Sequence, residues 1–257
     1  MSKNTIIWDL SGTLFRPSSE HLSPTELEDA SFLFLMWSGK KTASRLDSLV
    51  HKLLSNVISQ QETDPSQVIR DHTGKEVPEI ICSFLAGRLN SLQAKEQALA
   101  FYESWAPENI KSEDQIQVRR MIETFFNPQV IASCVKPIEE AVILFKKTLE
   151  TGKNVYILSN WDQDSFALFY EKYKESIFKD LGREHIVISA DTGFVKPQRG
   201  IYTWLLATNN LDPHDCLFID DQEENIAEAL KQGIEGIQFK KNALEQIEKA
   251  LREQTIL

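Results

Sequence analysis

A chain of 257 residues with 42% hydrophobic content can bury a substantial core, and its formal charge of −10 opposes general affinity for nucleic acid or anionic lipid. A small phosphate ester is not excluded, because one metal ion and one lysine can reverse the potential locally. Three separated cysteines, Cys82, Cys134 and Cys216, lack CxxC spacing and sit among apolar neighbours, which reads as buried thiols in a reducing compartment rather than a disulfide framework.

The N-terminus has no signal-peptide pattern, since Asn4–Leu10 runs directly into a strand. Thr5–Leu10 (TIIWDL) is short and apolar without alternation, as strands buried on both faces of a parallel sheet are. From about Arg16 to about Ser133 the pattern turns helical. Ser23-Pro24-Thr25-Glu26 reads as a capping box with proline at the first helical position, followed by a stripe of Leu27, Ala30, Phe34 and Trp37. Phe32–Trp37 (FLFLMW) is apolar around most of a helix, which predicts the centre of a helical core, or alternatively Met36 and Trp37 lining a pocket or dimer interface. That run falls far short of the roughly 20 residues needed to cross a bilayer. Further stripes are Leu46, Val50, Leu53, Val57 and then Ile81, Leu85, Leu89, Leu92. Glu62-Thr63-Asp64-Pro65 and His72-Thr73-Gly74 read as loops, and Ser112 opens a helix ending near Asn127-Pro128.

Strand and helix then alternate. Ile138, Val142, Phe145 and Leu149 form a helical stripe stopped by Gly152. Val155–Asn160 (VYILSN), Ile186–Asp191 (IVISAD), Cys216–Asp221 (CLFIDD) and Gly236–Phe239 (GIQF) read as strands. Ile226, Ala229 and Leu230 form a helix between the last two, and Asn242 is placed to cap a final helix carrying Leu244, Ile247 and Leu251. Alternation of this kind predicts an α/β fold. Four of the strands end in polar residues: Asp9 with Ser11, Ser159 with Asn160, Asp191, and Asp220 with Asp221. Ligand sites of open parallel sheets lie at those carboxyl ends.

Four clusters carry the chemistry. Asp9-Leu10-Ser11-Gly12-Thr13 puts a carboxylate beside a glycine turn, and Ser159-Asn160 offers a hydroxyl and backbone N–H groups to an anion. Lys196-Pro197 precedes the helix containing Ile201 and Tyr202, and Asp220-Asp221 repel each other unless a cation lies between them, a donor set suited to Mg²⁺.

In this order, the clusters resemble the motifs of the haloacid dehalogenase-like (HAD) superfamily, in the subfamily whose helical cap follows the first motif. VKPQRGIY and FIDDQEENIAEALKQGI also look like the family's pattern. The resemblance covers Asn4–Phe15 and about Lys136–Phe239 closely, and the inserted segment only in position and helical character. It implies a Rossmann-like parallel sheet core over 1–15 and 134–257, with an all-helical cap over 16–133. It further implies Asp9 as a nucleophile forming an aspartyl-phosphate, and Ser159, Asn160 and Lys196 around the phosphoryl oxygens. Mg²⁺ would be held by Asp9, the backbone carbonyl of Ser11, Asp220 and Asp221.

The pattern breaks at Ser11. Family phosphatases carry a proton-shuttling aspartate there, and acid–base help of that kind is worth about 10² to 10⁴ in rate. The sequence therefore points to a magnesium-dependent hydrolase of small phosphate esters in which Ser11 stands for the usual acid, with His21 or Asp162 as candidate substitutes. An impaired module binding Mg²⁺ and a phosphorylated ligand, or a phosphotransfer or phosphonate-type enzyme, are the alternatives. Dehalogenation is disfavoured because Asp220-Asp221 is retained. The expected ligand is a small phosphorylated metabolite, and the expected setting a cytoplasmic monomer or homodimer, without nucleic-acid or membrane partners.

Overall fold

The computed structural model describes residues 3–38, 43–57, 68–70, 74–240, 244–253 and 256, without the side chains of 37 and 38. The expected loops at Glu62–Pro65 and His72-Thr73, the Asn242 cap and the Trp37 side chain fall outside this set. The chain divides into two compact units, one of Met1–Arg16, Lys136–Trp161 and Tyr170–Leu257, the other of Pro17–Val135 and Asp162–Phe169.

The first unit is built on β1 (Thr5–Trp8), β4 (Asn154–Ser159), β5 (Ile186–Ile188), β6 (Cys216–Asp220) and β7 (Glu235–Gln238), while β2 (Phe15–Pro17) and β3 (Val135–Pro137) pair where the chain leaves and re-enters it. The five strands form one parallel sheet in the order β5-β4-β1-β6-β7, with Ile6 level with Val155 on one side and Leu217 on the other. Alternate residues of β1 serve opposite faces. Ile7 packs in one cluster with Tyr156, Phe218, and Ile201 and Tyr202 of the helix Arg199–Thr208. Trp8 meets the edge of Phe145, on the helix Glu139–Leu149, at 6.1 Å and donates its indole N–H to Thr148. Central strands covered on both faces have no polar side to show, which is why their sequences are uninterrupted apolar runs. The α/β reading therefore holds.

Strand limits move by one to three residues from the sequence reading. The largest difference is at Ile186–Asp191, where the strand ends at Ile188 and Ser189–Thr192 forms a helical turn. The Asp191 carboxylate folds back to accept the Ile188 N–H at 3.2 Å and pairs with Arg183. It thus serves its own turn and does not join the other strand-end carboxylates.

The second unit is helical, with Pro24–Asp29, Ser31–Ser38, Arg45–Ser55, Glu79–Leu85, Ser91–Asn109, Ser112–Phe125 and Pro128–Ser133. Ser23 and Glu26 form the expected capping box. Phe32, Leu33, Val50, Leu53, Val118 and Ile122 are buried in one core, so the apolar run of the second helix is the core segment expected, and Met36 packs against it. Two stripes do not stay on single helices. The first helix ends at Asp29 before another starts at Ser31, and Leu27 is left 40% exposed. Glu79–Leu85 is likewise separate from Ser91–Asn109, with Gly87 at φ +69° between them and an Asn90–Gln93 capping box starting the second. Leu92 is 56% exposed in consequence. The segment Asp162–Phe169, left with the sheet by the sequence reading, belongs to this unit, where Asp164 accepts the Ser91 N–H at 2.8 Å. Among the described residues no helix is long and apolar enough to cross a membrane, and the three cysteines are buried and free.

Candidate active site

At the carboxyl edge of the sheet, β1 delivers Asp9, whose N–H is held by the Ile219 carbonyl of β6 at 2.9 Å. The chain then turns tightly. Gly12 donates to the Phe15 carbonyl and Phe15 to that of Leu10, both at 2.7 Å. Gly12 is required twice over, by its φ of +93° and because a Cβ there would lie 2.3 Å from the Asp221 carboxylate. Ser11 sits half-buried in this turn.

Two cluster residues donate hydrogen bonds to Asp9. The Ser159 hydroxyl, ending β4, donates to Asp9 Oδ1 at 3.0 Å. Lys196 Nζ donates to the same oxygen at 2.6 Å, to Asp220 Oδ2 at 2.6 Å and to the Leu158 carbonyl at 2.9 Å. All three ammonium protons are thereby used, and both hydrogen bonds to Asp9 fall on Oδ1. Asp220, fully buried, also accepts the Gln222 N–H and both contacts from the Asn225 amide, at 3.0 and 3.1 Å. Asp221 lies over Gly12, and its Oδ1 is buried with no hydrogen-bond partner among the described residues.

The electrostatics follow from this crowding. Burial pushes the Asp9 carboxyl up to about 6, Lys196 opposing and Asp220 adding to the rise. Burial, reinforced by Asp9 and Asp220, takes Asp221 up to about 8. For Lys196 burial favours the neutral amine, but the charges of Asp220 and Asp9 outweigh it and the ammonium is held above its ordinary value. Asp9, Asp220 and Asp221 each place a carboxylate oxygen so that the three lie within 4.8 Å of one another. With all groups ionised, one ammonium leaves two negative charges unbalanced, the charge of one divalent cation.

Not every predicted residue faces this cluster in the way expected. The side-chain amide of Asn160, for which the sequence suggests no task beside that of its backbone N–H, is engaged with the main chain of Lys196. Asp162 is buried, and its carboxylate accepts the N–H and hydroxyl of Ser165, capping the helix Gln163–Tyr173. Burial raises it to about 6. His21 is exposed. Asn225, which the sequence sets four residues after Asp221 in the fourth cluster without a stated task, lies on the buried face of the helix Glu223–Lys231 beside Ile226 and Ala229. Nothing in the sequence signals the Leu158 carbonyl.

A family model described as haloacid dehalogenase-like hydrolase matches residues 3–233. The chain belongs to this family of hydrolases. Solved HAD structures share its fold at low identity. A HAD family enzyme from Bacteroides thetaiotaomicron, solved with magnesium and inorganic phosphate, is 16% identical with a TM-score of 0.54, over 93% of this chain and 96% of that one. A HAD family hydrolase from Deinococcus radiodurans R1, with bound phosphate and sodium, is 19% identical with a TM-score of 0.51, over 100% and 98%. A dehalogenase with an intermediate complex is 13% identical with a TM-score of 0.52, over 94% and 86%.

Proposed function

We propose that this HAD hydrolase is a magnesium-dependent enzyme acting on small phosphate esters through an aspartyl-phosphate at Asp9. The observation that carries the reading is the convergence of Ser159 and Lys196 on Asp9 beside the Asp220-Asp221 pair. The donor set fits Mg²⁺: hard carboxylate oxygens, unbalanced negative charge and an unpartnered buried oxygen on Asp221. Asp9, the Ser11 carbonyl, Asp220 and Asp221 would hold the ion, which when bound draws charge from the phosphoryl oxygens and lets an anionic nucleophile approach. The Bacteroides and Deinococcus relatives, solved with phosphate, support the ligand class. Residues 16–133 are read, within this proposal, as an inserted helical cap.

Asp9 Oδ2, the oxygen without hydrogen bonds from Ser159 or Lys196, is the attacking atom. It forms a bond to phosphorus as the bond to the leaving oxygen breaks. Ser159 and Lys196, with the Asn160 main chain alongside, hold the phosphoryl oxygens, and Lys196 balances charge as the two anions meet. The leaving oxygen takes its proton from water, because the Ser11 hydroxyl is far too weak an acid to supply one near neutral pH. Water then attacks phosphorus, the bond to Asp9 breaks, and inorganic phosphate leaves with the carboxylate restored. Activated esters, whose leaving groups need little protonation, are therefore the best substrates.

The test is hydrolysis of an aryl phosphate by the native protein and by Asp9→Asn, with and without Mg²⁺. Activity that ignores the metal, or that survives the substitution, contradicts the proposal. Ser11 also favours a second reading, a site that binds Mg²⁺ and a phosphorylated ligand, or retains the phosphoryl group, without rapid release. Metal-dependent stabilisation by inorganic phosphate in a protein with no turnover would select it.

A further inference from the structure

The Asn160 side chain stands next to the proposed phosphate site but is turned to another use. Its Oδ1 accepts the Lys196 N–H at 2.7 Å, and its Nδ2 donates to the Lys196 carbonyl at 2.9 Å. One side-chain amide thus exchanges both hydrogen bonds with one residue's backbone, as two directly paired residues do in an antiparallel ladder. The amide takes the place of a strand neighbour for a segment that belongs to no strand.

The other end of Lys196 is fixed to the same strand. Nζ donates to the carbonyl of Leu158, two residues before Asn160 in β4. The main chain and the ammonium of Lys196 are both tied to the last residues of β4 and the residue after it, with the side chain stretched between the two points. From there the ammonium reaches Asp9 Oδ1 and Asp220 Oδ2, each at 2.6 Å. A lysine side chain has many rotamers, and holding one of them costs entropy unless the surroundings select it.

We propose that Asn160 is a positioning residue: it clamps the backbone of Lys196 so that the ammonium meets Asp9 and Asp220, and its side chain is not a phosphate ligand. The proposal deepens the hydrolase reading, on which its catalytic consequence rests, while the clamp itself stands independently. Alanine at 160 removes both hydrogen bonds, aspartate keeps the acceptor but loses the donor, and only asparagine supplies donor and acceptor at this length.

The experiment measures acylation of Lys196 by acetic anhydride in the ligand-free full chain, followed by peptide mass spectrometry with exposed Lys231 as internal standard. Lys196 is 3% exposed and fully hydrogen-bonded, so it reacts slowly in the native protein. Labelling should rise about tenfold or more in Asn160→Ala and by less in Asn160→Asp, the size expected when a local opening becomes easier. Ile247→Ala, a core truncation in the helix Leu244–Glu253 away from the clamp, controls for general loss of stability and should leave Lys196 slow. Unchanged labelling in Asn160→Ala, or an equal rise in Ile247→Ala, overturns the clamp. In the same proteins, aryl phosphate turnover with Mg²⁺ should fall in the order of the labelling rise. A native protein inactive on the ester, with labelling as expected, would leave the clamp intact and remove the hydrolase reading instead.

Discussion

Two buried aspartates, Asp9 and Asp162, are pushed by burial to the same value of about 6, yet they lie in opposite kinds of surroundings. Asp162 is satisfied by Ser165, three residues along its own helix. Asp9 is met by Ser159 and Lys196, and through Lys196 by Asp220, groups brought from far apart in the chain. A raised carboxyl alone marks burial. What separates a reacting group from a helix cap is whether its partners are charges converging from distant elements, with an oxygen left over.

The largest expected contrast is in turnover. Asp9→Asn should abolish aryl phosphate hydrolysis, a fall of about 10⁴-fold or more because the covalent route is lost. Asp162→Asn should stay within about twofold of native, as substitutions away from the chemistry do. Measurable hydrolysis in the first would remove Asp9 as the nucleophile, and collapse in the second would make Asp162 the substitute acid.

Ser11→Asp comes next. Supplying a proton-transferring carboxyl should raise turnover on unactivated alkyl phosphates by about 10²-fold, the lower end of general acid–base effects, and activated aryl esters by less. Equal rates on alkyl esters before and after the change would mean that another group already serves as acid.

Metal and pH should act together on stability. Asp9 and Asp221 bind protons more tightly folded than unfolded, with values raised from 3.8 to about 6 and about 8. Their contribution is present below the unfolded value and is lost as pH rises through those two values. The metal-free protein should therefore melt lower at about pH 8.5 than at about pH 5.5, and Mg²⁺ should close much of the gap. Asp221→Asn should flatten the slope. A metal-free melting temperature that rises over this range would contradict the account of the cluster.

The smallest effect belongs to Asp162. It too is raised, so Asp162→Asn, which keeps an acceptor for the Ser165 N–H, should gain up to about 1 kcal/mol at pH 8, whereas Asp162→Ala loses a cap worth about the same. Urea unfolding of the pair at two pH values measures both.

The same contrast explains how much was legible in the sequence. Asp9, Ser159 and Asp220 are legible because buried parallel strands are continuous apolar runs, and a polar residue at the end of one stands out, whereas Lys196, on no strand, is legible only through the family-like string VKPQRGIY. The rule failed at Asp191, whose strand is only Ile186–Ile188 and whose carboxylate is spent on its own turn. Helical stripes carried over breaks at Ala30 and Gly87, because short helices in succession can keep a period of about 3.6 while pointing their faces apart, which exposed Leu27 and Leu92. For Asn160 the sequence points to a backbone N–H beside an anion and is silent on the side chain. The partner of that side chain depends on the placement of residue 196 against β4, which nothing local to either residue encodes.

The central claim, that Asp9 attacks phosphorus, is tested most directly by rapid acid quench of the native protein with an aryl phosphate and Mg²⁺, then mass spectrometry of the peptide containing Asp9. The account predicts a phosphoryl adduct on Asp9 that accumulates because Ser11 cannot speed its hydrolysis, and no adduct in Asp9→Asn. Turnover without an adduct on that peptide, or an adduct on another residue, would contradict it.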